Sequence, residues 1–192
     1  EDRQGNFFKP KDGRNLVRIM PSWRGLEEVF YLQVPTHQNI GPDNKWGTCL
    51  QFWNEPCPVD TAIEELAGSN LASDQTLAAK MVAKDRFLVN VGYPNEADGV
   101  VKPWSMSESW FLEILSDYGN SDYGDFTDVR RGHDYTFTRT GTGLATKYTN
   151  KKFAPKSTKL LIDDYKKKLI NLDAFIKHYT RKELRGFLRG DE

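Results

Sequence analysis

GHDYTFTRTGTGLATKYTNKKF, residues 132–153, holds two runs of β-favouring residues around a Gly-Thr-Gly. HDYTFTRTG and LATKYTNKKF therefore predict a hairpin with a glycine-dependent turn. That pairing places Arg139, Lys147 and Tyr148 around the hairpin tip. Outward from it, strand character recurs in NLVRIMP (15–21), VFYLQVPTH (29–37), GTCLQFW (47–53) and RFLVNVGYP (86–94). GVVKPWSM follows, with Asp98-Gly99 as its turn. Helices are expected at 59–67, where Pro58 takes the first helical position, and at 73–83, with Ser73 as cap. A third begins near Ser105–Glu108, a capping-box spacing.

Six or seven strands with helices inserted, and no regular strand–helix alternation, give a mainly β, α+β chain. The best match is a five-stranded OB-type barrel with a small zinc subdomain and C-terminal helices. The expected division is a core over 1–155, with a knuckle-and-helix insertion at 37–68, and a helical segment over 156–192. That last segment carries ten Lys/Arg against six Asp/Glu.

Lys plus Arg and Asp plus Glu are each 27, so net charge singles out no partner; a groove needs only local charge. No apolar run is long enough to span a bilayer, and EDRQGNFFKP offers no apolar signal region, so a cytosolic protein without membrane contact is expected. Two cysteines suit thiols or metal ligands better than a disulfide framework. Five Trp, eight Tyr and eleven Phe suggest rings exposed for a purpose.

Alternation puts Arg86, Leu88 and Asn90 on one face of their strand and Phe87, Val89 and Val91 on the other. Lys102 and Trp104 share a side. Rings interleaved with Lys and Arg on a sheet are what single-strand binding requires, because bases stack on rings and phosphates seek cations. The competing reading makes the rings ordinary core.

His37, Cys49, Cys57 and Asp60 form a second constellation. A zinc site usually closes with a cysteine pair two residues apart, and Asp60 stands in place of the second cysteine. An aspartate in the first turn of a helix is also explained by the helix dipole, and an isolated cysteine by burial.

NLVRIMP, the 37–60 stretch with its CPVD, RFLVNV, GVVKPWSMS before a helix, and GHDYTFTRTGTGLATKYT together resemble the gene thirty-two type single-stranded-DNA-binding proteins of tailed bacteriophages. The resemblance spans roughly residues 8–155 and rests on the order of several blocks. It implies a non-catalytic OB-fold protein that coats single-stranded DNA in phage replication, recombination and repair, in the host cytoplasm, alongside phage replication and recombination proteins. It assigns Phe87, Trp104 and Tyr148 to the DNA cleft, with Lys84 beside them. Arg86, Lys102, Arg139 and Lys147 join on the charge argument. It also implies a zinc site, ordered His-Cys-Cys-Cys in the family, on His37, Cys49 and Cys57, with Asp60 in the fourth place. The family's basic N-terminal arm and acidic C-terminal tail have no counterpart in these residues. Two alternatives stand beside it. One is a zinc-dependent hydrolase or nuclease with Asp60 or Glu55 as base, although no HExxH, zinc-deaminase signature or phosphate loop occurs. The other is an adaptor docking a protein through its basic C-terminal helices.

Overall fold

The computed structural model describes residues 7–94 and 99–191; Asp98, expected in a turn, lies outside them. The protein is α+β, with an open antiparallel sheet of seven strands. The strands are β1 (Gly13–Ile19), β2 (Tyr31–Ile40), β3 (Lys45–Thr48), β4 (Lys84–Gly92), β5 (Lys102–Ser107), β6 (Tyr135–Thr140) and β7 (Lys147–Phe153). They run in the order β3-β2-β4-β1-β6-β7, with β5 paired to β4. By its contacts the chain divides into two units, Glu1–Leu32 with Phe87–Phe175, and Gln33–Arg86 with Ile176–Glu192.

In the first unit the expected hairpin forms in register, Tyr135 opposite Phe153 and Arg139 opposite Tyr148. A bulge shifts the pairing between Thr136 and Thr138, and Asn150 opposite it adopts φ +54°, a left-handed conformation that asparagine tolerates. At the turn Gly141 has φ +78°, and a Cβ there would lie 2.4 Å from the Ala145 carbonyl, so only glycine fits. The core below gathers Val17, Ile19, Phe87, Val89, Val91, Trp104, Phe111, Phe126, Phe137 and Phe153.

The helix α3 (Glu108–Leu115) adds Phe111 and Ile114 to that core; its cap is Ser107, whose side chain makes no capping bond. Arg18 is buried, donating to Asp134 at 2.8 Å and to the Thr158 carbonyl at 3.1 Å. This ties down Thr158, within residues 157–162, which form no regular element where helix was expected. Thr158 and Leu160 donate to the Gly132 and Val129 carbonyls, and Leu160 and Ile162 pack on Met20 and Val101. Only the short helices α4 (Tyr165–Lys168) and α5 (Leu172–Phe175) follow in this unit.

The second unit holds α1 (Pro58–Ala67), begun by Pro58 as expected, and α2 (Ala72–Met81), whose cap is Leu71 rather than Ser73. GTCLQFW does not continue as a strand. After Thr48 it turns into a 3-10 segment, Leu50–Trp53, stopped by Asn54 at φ +58°. The unit closes with α6 (Arg181–Arg189), capped by a reciprocal pair: Glu183 N–H donates to Thr180 Oγ1, and Thr180 N–H to Glu183 Oε2 at 2.7 Å.

The Thr180 backbone bond and Lys177 hold the Glu183 carboxyl down at about 2. With the folded value below the ordinary 4.5, the box stabilises α6 above that pH and is lost as pH falls toward 2. The Glu183 carboxyl carbon, followed by NMR, is expected to titrate near the lower value. A midpoint near the ordinary one would show that the box does not form.

Candidate functional site

His37, Cys49, Cys57 and Asp60 converge in the second unit, one donor atom from each lying within 4.8 Å of the others, so the cluster could hold a metal ion. Local chemistry brings them there. His37 sits on β2 opposite Gly47 of β3. Cys49 ends that hairpin, its N–H donating to the Pro35 carbonyl. Cys57 precedes Pro58 as the cap of α1, and Asp60, three residues on, rises on the same side.

Three of the separations lie near the edge lengths around a tetrahedral ion, two of them to different oxygens of Asp60. Cys57 Sγ lies 3.5 Å from His37 Nε2, His37 Nε2 3.5 Å from Asp60 Oδ1, and Cys49 Sγ 3.2 Å from Asp60 Oδ2. Zinc–ligand lengths of about 2.0–2.3 Å set tetrahedral edges of about 3.3–3.8 Å. His37 Nδ1 donates to the Met81 carbonyl at 2.8 Å, which leaves Nε2 as the lone pair aimed into the cluster. Gln51 donates to Asp60 Oδ2 at 2.8 Å and fixes the carboxylate. These two supports were invisible in the sequence, since a backbone carbonyl and a turn glutamine carry no signal of their own.

The electrostatics favour thiolate. A hydrogen bond from Cys49 pulls the Cys57 thiol well below its ordinary value, and His37 and the Leu50 and Asp60 amides add to this against burial. Cys49, the proton's holder in that pair, is pushed up by its bond to Cys57 and by burial. Burial opposes charge on His37, but its bonds to Cys57 and Met81 and the nearby Cys57 and Asp60 charges raise it overall. A divalent cation would replace the proton that the two sulfurs share. Close by, the His178 ring stacks on Trp53 at 4.2 Å with Nε2 3.1 Å from Glu55, so Glu55 faces His178.

The expected single-strand residues separate into interior and surface. Phe87 and Trp104 are 6% and 3% exposed, and neither ring offers a base a face. Phe87 stacks on Phe111 at 4.2 Å, and Trp104 lies over Phe137 at 5.2 Å with Trp110 edge-on. Their assignment to a stacking cleft is corrected to core. The resemblance places them in the cleft; alternation groups Phe87 with Val89 and Val91, and that face of β4 lies in the main core, while on the other face Asn90 bonds the Ile170 backbone and Gly92 abuts Ile162.

Tyr148 is half-buried, Lys147 exposed, and Arg139 half-buried with Asp12 3.9 Å away. Lys102 is half-buried on β5. Lys84, exposed, and Arg86, half-buried with its guanidinium value lowered by burial, belong to the second unit. The sequence reading gave Trp110 no part in the site. Its indole N–H donates to Tyr135 Oη at 2.9 Å, its ring lies 4.7 Å from Tyr148, and Lys151 sits 5.4 Å over it while pairing with Glu113. A half-exposed ring pair bordered by cations thus lines one face of the hairpin.

Among the described residues no helix is long and apolar enough to cross a membrane. Comparison with models of known protein families and with curated protein sequences finds no match.

Proposed function

We propose that the protein binds single-stranded DNA without sequence preference, as the gene thirty-two type proteins of tailed bacteriophages do in replication, recombination and repair. The observation that carries the reading is the half-buried ring pair made by Trp110 of α3 and Tyr148 of β7, flanked by Lys147, Lys151 and Arg139. Two adjacent rings give bases a stacking surface, and the cations give the backbone its counter-charge. An OB-type barrel is the architecture this reading implies for the first unit, and host cytoplasm its compartment. The His37-Cys49-Cys57-Asp60 cluster is read as a closed structural zinc site. Four protein donors fill a tetrahedron, whereas a catalytic zinc keeps one position for water.

Tryptophan fluorescence titrated with oligo-dT, and with duplex of the same length, tests the proposal. Quenching by the single strand at far lower concentration than by duplex is expected. Equal affinity for both at moderate salt would sink it. Tyr148→Ala and Trp110→Ala are each expected to weaken single-strand binding by about 1–3 kcal/mol. Both rings are partly exposed, so thermal stability should change far less than affinity. Incubation of labelled single strand with the protein and divalent metal separates the hydrolase alternative, which requires cleavage.

A further inference from the structure

The cationic face of α6 is unused by anything above. The helix is fastened by one side only: Leu184 is buried, and Phe187 and Leu188 pack on the core formed by Ile40, Leu50, Val59 and Met81. Gly47 faces Leu184, where a Cβ would come within 2.9 Å, and Gly41 abuts the Phe187 carbonyl. The solvent side carries Arg181, Lys182, Arg185 and Arg189, all exposed. At 100° per residue the four fall within one stripe about 100° wide, and Arg181, Arg185 and Arg189 follow one another about 6 Å apart along the axis.

Three observations set this stripe apart from an ordinary solvated face. Among the described residues none of the four has an ion-pair partner. The one carboxylate within the helix, Glu183, is engaged by Thr180 and Lys177. Arg181 and Lys182 also stand in the first turn, where the helix dipole disfavours positive charge. Folding alone would place acids there. Lys45, two residues before Gly47 and so on the same side of β3, adds a further exposed cation. Asp43 and Asp191 are exposed carboxylates near the C-terminal end of α6, and Glu183 is the carboxylate of its first turn.

We infer that this face of α6 is a second nucleic-acid contact, which holds the phosphodiester backbone by charge alone and reads no bases. It rests on the proposed single-strand binding and extends it to the second unit. The ligand's phosphates have the repeating charge that the helix repeats, and with no ring in the stripe the contact is purely electrostatic.

Such a contact has a signature that stacking lacks. Each neutralised phosphate on a single strand contributes about 0.7 to the slope of log affinity against log salt. In the full chain, replacing Arg181, Lys182, Arg185 and Arg189 together by glutamine is expected to flatten the oligo-dT slope by about 2–3. Arg181→Lys, Arg185→Lys and Arg189→Lys together should leave it nearly as in the parent, since charge and not guanidinium shape acts. Tyr148→Ala should lower affinity at every salt concentration with the slope unchanged. A glutamine variant that keeps the parent slope would overturn the inference while leaving the proposed function standing. Loss of poly-glutamate binding with that slope intact would do the same and assign the face to an acidic protein. A parent protein that fails to bind oligo-dT at low salt would overturn both readings. Circular dichroism of the glutamine variant should match the parent, because its four side chains lie outside the packed side of α6; a slope change that the lysine variant fails to rescue would count against the inference.

Discussion

Replacing Cys57 by serine, or treating the protein with a strong chelator, is expected to loosen the whole unit built from residues 33–86 and 176–192. The core of that unit is small, made of Ile40, Cys49, Leu50, Cys57, Val59, Met81 and Leu184, and two of its members belong to the cluster that could hold a metal ion. Below about 70–80 residues a single hydrophobic core rarely supplies more than about 3–5 kcal/mol, so a bound metal would add much to a unit of this size. Structural zinc supplies about 10–16 kcal/mol of apparent binding energy near neutral pH in small metal-dependent domains, more than so small a core can offset. Elemental analysis of protein purified without added metal is expected to find one zinc per chain. Removing it should expose 37–60 and α1 to proteases while the β6–β7 hairpin stays protected. Ligand exchange should be asymmetric: Asp60→Cys tightens zinc, because thiolate suits the metal better than carboxylate, whereas Cys57→Ser releases it. A zinc content far below one per chain, with stability unchanged in chelator, would reduce Asp60 to a helix-start residue and the cysteines to thiols.

What could be read from the sequence was what local chemistry decides. The Gly-Thr-Gly hairpin formed because Gly141 occupies a turn that no other residue fits. Cys57 and Asp60 of the cluster met because Pro58 starts a helix with Cys57 at its cap, which places Asp60 beside it whatever the rest of the chain does. The failures lay where a distant segment decides. Period-two alternation separates Phe87 from Leu88, but it cannot say that residues 160–170 return to cover the second face of β4. The same segment looked helical from its composition. Residues 157–162 form no helix because Arg18 donates to the Thr158 carbonyl while Thr158 and Leu160 donate to the Gly132 and Val129 carbonyls, bonds from outside the segment, and only Tyr165–Lys168 makes a short helix. Trp110 gave no signal of its own in the sequence, because what holds it beside Tyr148 is a bond to Tyr135, 25 residues on.

That sorting of rings makes Trp104→Ala the sharpest test of which tryptophans serve the fold. Trp104 touches Phe8 at 5.4 Å, Trp110 at 5.0 Å and Phe137 at 5.2 Å between ring centres, and is 3% exposed. Truncating it leaves a cavity among three rings that cannot collapse together, so a loss of about 3–5 kcal/mol is expected. For a chain of this size that is a fall of about 6–20 °C in melting temperature. Phe87→Ala, which strips the ring stacked on Phe111, should behave alike. At a temperature where each variant is still folded, affinity for oligo-dT should stay within a few-fold of the parent, because neither ring presents a face to a base. Tyr148→Ala should show the reverse, weak binding on a stable fold. Thermal melts and fluorescence anisotropy on the three variants together decide the matter. If Trp104→Ala melts with the parent and loses the single strand, the ring is a stacking platform and its burial among Phe8, Trp110 and Phe137 does not describe the protein in solution.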